Sequence, residues 1–189
     1  DTILGLPDRF TGFNLEPSAG CWKFVNGLAY PDEAAEVFES VAQRINEIRP
    51  DLDFVFYTLP QSTSYVTKNP VGYAARTMER EVAFLGATQY MKTVAVSGYW
   101  KEGVSFDDWK RRQDLSIALA SAVHNRPLVA FVWDGAGGWK KGRTHQEMTQ
   151  VLDYFKAREV SVVYWDYWAT NYQKQVAWST QFALWEFLQ

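Results

Sequence analysis

Three observations predict an α/β fold of parallel β/α units, of the TIM-barrel type. Five short apolar, β-like runs alternate with helical patterns, no hairpin signal joins any two of them, and nearly every run is followed by a polar or aromatic cluster. Runs that are apolar almost throughout suit strands buried on both faces, as in parallel sheets. A cluster after each strand is what results when the following loops all face one site.

The strands are expected at 10–15, ending in Glu16-Pro17, and at 54–59, ending in Pro60. A third is expected at 93–96, before Ser97-Gly98-Tyr99-Trp100, and a fourth at 128–133, before Asp134-Gly135. The fifth is expected at 160–165, before Asp166-Tyr167-Trp168. Between them, Pro31-Asp32-Glu33 reads as a helix start, with proline in the first turn and acids at the positive end of the dipole. Ala34, Val37, Phe38, Val41, Ile45 and Ile48 then recur at helical spacing, and Pro50 closes the segment. A second helix is predicted over 72–85 with Gly86 as its stop, and a third from a Ser105 cap, carrying Trp109, Leu115, Ile117 and Leu119. Thr144 and Glu147 form a capping-box pattern ahead of Met148, Val151, Leu152 and Phe155. A last helix is predicted over 176–187.

Residues 1–189 are expected to form a single β/α domain. Two closures are open to it. An open, five-stranded, doubly wound sheet would be complete in itself. A closed barrel of eight strands takes about 250 residues, so a barrel reading makes this chain partial, the C-terminal part of a larger barrel. The absence of a glycine-rich phosphate turn after the first strand favours the barrel. A partial barrel leaves a sheet edge for a second polypeptide segment to cover, because a long bare edge invites aggregation.

Composition narrows the function. The net charge of −3 with no basic run argues against a nucleic-acid partner. No apolar stretch approaches the length of a membrane span. The sequence carries no signal peptide, and a start at Asp1 rather than Met points to processing or excision; the compartment stays open, with a secreted location slightly favoured. One cysteine, Cys21, and two scattered histidines, His124 and His145, give no metal site, and no cofactor is expected. Both histidines read as ordinary helix positions, His124 as a C-terminal residue favoured by the dipole. Lys140, Lys141 and Arg143 are too few to make a nucleic-acid-binding footprint.

The aromatic fraction is high, 16% with nine tryptophans, and Tyr99, Trp100, Trp133, Trp165 and Trp168 fall at strand ends. A flat ring with a polar edge suits the face of a sugar, and some of this set are expected to line a cleft while the others pack. Three acids sit where barrel enzymes carry their catalytic groups: Glu16, Asp134 and Asp166. Glycoside hydrolysis needs two carboxyl functions across the scissile bond, or one with help from the substrate. Glu16 leads the three, since it closes an apolar run and Asn14 precedes it by two positions on the same strand.

The stretch 127–133, followed by a loop, a helix and 160–165, resembles the closing strands of glycoside hydrolase (β/α)8 barrels, many of which end their last strand in tryptophan. Asn14-Leu15-Glu16-Pro17 extends the resemblance in two directions. In the large retaining clan, an Asn-Glu pair ends the fourth strand and a carboxylate nucleophile stands on the seventh. Counted back from the last strand here, Glu16 falls on the fourth and Asp134 on the seventh, but Leu15 separates Asn14 from Glu16 and the clan's nucleophile is normally Glu. Hyaluronidase-like barrels instead carry an Asp-x-Glu pair on an early strand and draw on the substrate's acetamido group; Asn14 and Glu16 match that spacing with Asn in place of Asp. The resemblance implies hydrolysis of O-glycosidic bonds in an oligo- or polysaccharide. Glu16 would be general acid/base and Asp134 or Asp166 the second carboxylate, with Asn14 and the aromatic set as substrate contacts. The alternative is a non-catalytic carbohydrate-binding or structural barrel segment of a larger assembly.

Overall fold

The computed structural model describes residues 12–15, 31–56, 70–100, 103–133 and 143–165. Its strands are β1 (Gly12–Leu15), β2 (Asp53–Phe56), β3 (Val94–Ser97), β4 (Leu128–Trp133) and β5 (Ser161–Trp165). Its helices are α1 (Pro31–Ile48), α2 (Pro70–Ala83), α3 (Leu85–Thr88), α4 (Phe106–His124) and α5 (His145–Lys156). The alternation of strand and helix is the one the sequence predicts. Residues 57–59 of the expected second strand and the helix expected over 176–187 lie outside the described residues.

The strands form two ladders, β1-β2 and β3-β4-β5. β1 runs parallel to β2, from Gly12 opposite Asp53 to Leu15 opposite Phe56, and β4 runs parallel to β5, from Val129 opposite Ser161 to Trp133 opposite Trp165. Val94 N–H donates to Pro127 O at 2.9 Å and Gly98 N–H to Phe131 O at 2.8 Å. Both bonds advance by the same number of residues on each side, so β3 is parallel as well. The described strands thus form parallel, partial sheets. Phe54, Val55 and Phe56 of β2, all of β3, and Leu128 to Val132 of β4 are buried, the burial expected of strands covered on both faces.

Contacts divide the chain into two units, Asp1–Val96 with Asp114–Leu128, and Ser97–Gln113 with Val129–Gln189. In the first, Phe38 of α1 packs edge-on against Phe56 of β2 at 4.8 Å and Phe84 at 5.3 Å. Ala42 and Ile45 bury the same face, whereas Val37 and Val41, counted above in the apolar stripe, are exposed. At the start of β2 the Asp53 carboxylate accepts from Phe54 N–H, Lys92 N–H (3.1 Å) and the Thr93 hydroxyl (2.6 Å), fixing the segment that enters β3.

Two helix expectations are corrected. α2 ends at Ala83, and Gly86 does not stop it but sits inside the short helix α3. A Cβ at Gly86 would lie 2.2 Å from a Glu39 carboxylate oxygen, the end of a flexible side chain that can swing aside, so this glycine is an interior position of α3 rather than a helix end. In α4 the buried face is Trp109, Gln113, Ser116, Ala120 and His124, while Leu115, Ile117 and Leu119 are half-buried. The buried stripe is partly polar, which hid it from a reading by hydrophobic period.

In the second unit, α5 starts as predicted. Thr144 Oγ1 accepts from Glu147 N–H at 3.2 Å, and the Glu147 carboxylate accepts from Thr144 N–H at 2.8 Å. Desolvation pulls the Glu147 carboxyl upward, but the Thr144 N–H and the Arg143 charge outweigh it and hold it below its ordinary value. Met148, Val151, Leu152, Tyr154 and Phe155 form the buried face behind this cap. Thr144→Ala should cost about 1 kcal/mol, the usual worth of such a cap, read as a lowered urea midpoint. At the end of β3, a Cβ on Gly98 would stand 2.8 Å from Phe131 O and 3.1 Å from the Phe155 ring. Gly98→Ala should therefore lower stability by about 1–3 kcal/mol, whereas an unchanged melting temperature would mean that β4 yields freely at this contact.

Candidate functional site

Each candidate acid follows the last residue of a strand. Glu16 comes after Leu15, the end of β1, and Asp134 and Asp166 come after Trp133 and Trp165. Trp133 and Trp165 are register partners that close the β4-β5 ladder, so their backbones stand about 4.8 Å apart across neighbouring parallel strands. Asn14 stands opposite Val55 in the β1-β2 ladder. Glu16, Asp134, Asp166 and Trp168 themselves lie outside the described residues, and Asn14, Trp133 and Trp165 are placed by strand position.

The end of β3 is described in full. Ser97 and Gly98 are buried, Tyr99 is half-buried and Trp100 is buried. The Trp100 indole N–H donates to Val104 O at 2.7 Å. Its ring lies 5.2 Å from Phe106 and 6.1 Å from Trp109, centroid to centroid. The Arg143 guanidinium stacks 3.9 Å from the ring centre, and its Nη2 donates to Trp100 O at 2.6 Å. Its Nη1 donates to Glu147 at 3.2 Å. A planar guanidinium can stack and donate in two directions at once, which an ammonium cannot. Trp100 is thus packed within the protein, whereas Tyr99 beside it keeps partial exposure. Arg143, grouped in the sequence with two lysines as a weak basic cluster, acts instead as a clasp between the exit of β3 and the start of α5.

Sequence reasoning missed a second polar cluster, in the first unit. The hydroxyl of Thr88 lies 2.9 Å from His124 Nδ1, and His124 Nε2 contacts Glu81 Oε2. Glu81, Thr88 and His124 are all buried. Hydroxyl, imidazole and carboxylate in a row resemble a nucleophilic triad, but His124 closes α4 immediately before the turn that enters β4. This is the N-terminal edge of the strands, the edge that serves stability in barrel folds, and burial denies a substrate access. His124 ends its helix as expected, and it is in addition a buried hydrogen-bonding residue. No spacing in the sequence links it to Glu81, 43 residues away. Among the described residues, no three His, Cys, Asp or Glu side chains gather into a group that could hold a metal ion.

The described residues form parallel β/α units with partial sheets, a TIM-like arrangement, and solved structures agree at the level of fold. The chain is similar to bee venom hyaluronidase in its monoclinic crystal form, with a TM-score of 0.64 and 11% identity over 82% of this chain and 53% of that one. It is also similar to bee venom hyaluronidase in complex with a hyaluronic acid tetramer, with a TM-score of 0.59 and 10% identity over 69% of this chain and 44% of that one. The chain therefore spans about half the length of these neighbours. At this identity the likeness concerns the fold. No protein family and no curated protein matches the sequence.

Proposed function

We propose that this chain is part of a glycosidase that hydrolyses O-glycosidic bonds of an oligo- or polysaccharide, with Glu16 as general acid/base. The observation that carries the reading is the fold likeness to a hyaluronidase over 82% of the chain. Of the two directions in which Asn14-Leu15-Glu16 points, that neighbour supports the one in which the substrate's own acetamido group assists. Glu16 then protonates the leaving oxygen, and Asn14 stands where an acid would orient the acetamido group. In the other direction Asp134 or Asp166 supplies the second carboxylate. Sugar contact falls to Tyr99, Trp133, Trp165 and Trp168, with Trp100 bracing the rim from within. A second polypeptide segment completes the barrel.

A non-catalytic carbohydrate-binding or structural segment is the second reading, favoured by Asn14 in place of the acid. One experiment separates the two. The purified chain, checked for a co-purifying second chain, is incubated with glycans that carry N-acetyl groups, hyaluronan among them, and with glycans that lack them. Release of reducing ends supports the glycosidase, and restriction to acetamido sugars supports substrate assistance. Binding without release supports the second reading, and neither binding nor release removes both.

A further inference from the structure

The bonds around His124 can be counted. The Thr88 hydroxyl has one hydrogen and two neighbours, Leu85 O at 3.2 Å and His124 Nδ1 at 2.9 Å. If the hydrogen goes to the carbonyl, which can only accept, the hydroxyl oxygen must accept from Nδ1–H. The other ring nitrogen then meets Glu81 either as an N–H facing a carboxylate or as a bare nitrogen facing a carboxylic acid. Both arrangements hold one proton more than a neutral imidazole beside a carboxylate. The remaining arrangement would bury an uncompensated negative charge, a costly state. The second Glu81 oxygen, Oε1, is buried without a hydrogen-bond partner among the described residues, which suits an uncharged or cation-paired carboxyl better than a bare anion.

We infer that Glu81 and His124 keep one proton in common at neutral pH, so that this part of the fold takes up a proton as it forms. Among the described side chains, His124 is the balancing charge. On α2, Glu79 is exposed, and on α4 the nearest other described charge, Asp114, is exposed and ten residues from His124, about 15 Å along the helix. α3 carries no ionisable side chain, Glu39 of α1 bonds the exposed Gln89, and Arg126 turns to Gln89 O. Burial pushes the Glu81 carboxyl above its ordinary value, against the opposing pull of the hydrogen bond and charge of His124. A carboxyl raised in the fold gives stability that is fully present below its unfolded value of 4.5 and is lost as pH rises through the folded value. Alkaline conditions therefore loosen the junction of α2, α3 and α4, independently of any catalytic activity.

The test is urea unfolding of the full chain and of Glu81→Gln between pH 5.5 and 8.5. Above about pH 7 an unfolded chain holds this proton on neither residue. The folding constant of the parent should then fall up to about tenfold more per pH unit than that of the variant, the effect of one proton. Equal slopes overturn the inference. If Glu81→Gln does not fold, ring 15N shifts of the parent decide, with His145 as the second histidine for comparison. A His124 Nδ1 that stays protonated from pH 6 to 8 supports the shared proton, and a bare Nδ1 beside a protonated Nε2 overturns it.

Discussion

Glu16→Gln should lower the rate on any glycan the protein cleaves by about 10²–10⁴-fold, the range lost when a general acid is removed. Gln preserves the size of the side chain and one hydrogen-bonding oxygen but has no proton to give to a leaving alkoxide. Binding should change little, because the contact area proposed for the sugar comes from aromatic rings. The expected pattern is a collapse of kcat with KM nearly unmoved, measured by reducing-end release and by calorimetry with the same glycan. Asp134→Asn and Asp166→Asn locate the second carboxylate: the one that falls comparably is it. If both remain near the parent rate while Glu16→Gln collapses, the substrate itself supplies the second function. Should Glu16→Gln turn over at the parent rate, Glu16 has no part in the chemistry and Asp134 becomes the leading acid.

The second large effect is on folding. Trp109 is 1% exposed, and its ring stacks on Phe106 at 5.4 Å and meets Tyr154 and Phe155 edge-on at 4.9 and 5.7 Å. Trp109→Ala should cost about 3–5 kcal/mol, the range for emptying a buried aromatic site. That is a large share of the 5–15 kcal/mol that typically holds a domain together. The indole N–H finds no hydrogen-bond partner among the described residues, so Trp109→Phe removes that donor and should lose less than Ala. A urea midpoint for Trp109→Ala within error of the parent would show that this aromatic cluster does not hold the unit together.

How much could be read from the sequence depended on how local the cause was. β4 was legible to the residue, because six consecutive apolar positions between a proline and an aspartate admit little else. The α5 start was legible because its cap is a four-residue pattern, Thr144 to Glu147, whose chemistry is self-contained. Gly86 misled because a glycine that ends a helix and one that lies inside a short helix look alike in one dimension. Glu81, Thr88 and His124 were invisible, since they meet only after three helices have packed. At the candidate site the sequence located the strand exits, which follow from the apolar runs. It did not separate Trp100, stacked under Arg143, from its neighbour Tyr99, because that difference lies in what covers each ring.

Asp53 carries a consequence for how the chain chooses among competing alignments. Its single carboxylate gathers three donors, Phe54 N–H, Lys92 N–H and the Thr93 hydroxyl, at the point where β2 begins and the chain turns into β3. Apolar residues such as Phe54, Val55 and Phe56 would tolerate a slipped alignment almost as well as the native one, since greasy contacts are forgiving of position. Sliding β2 by one residue would turn Asp53 to the opposite face and take its oxygens away from the part-buried Thr93 hydroxyl and the exposed Lys92 N–H at once, losing for each the roughly 0.5–1.5 kcal/mol that an intramolecular hydrogen bond typically contributes. The carboxylate thus works as an index mark, making the misaligned chain costly at little expense to the aligned one.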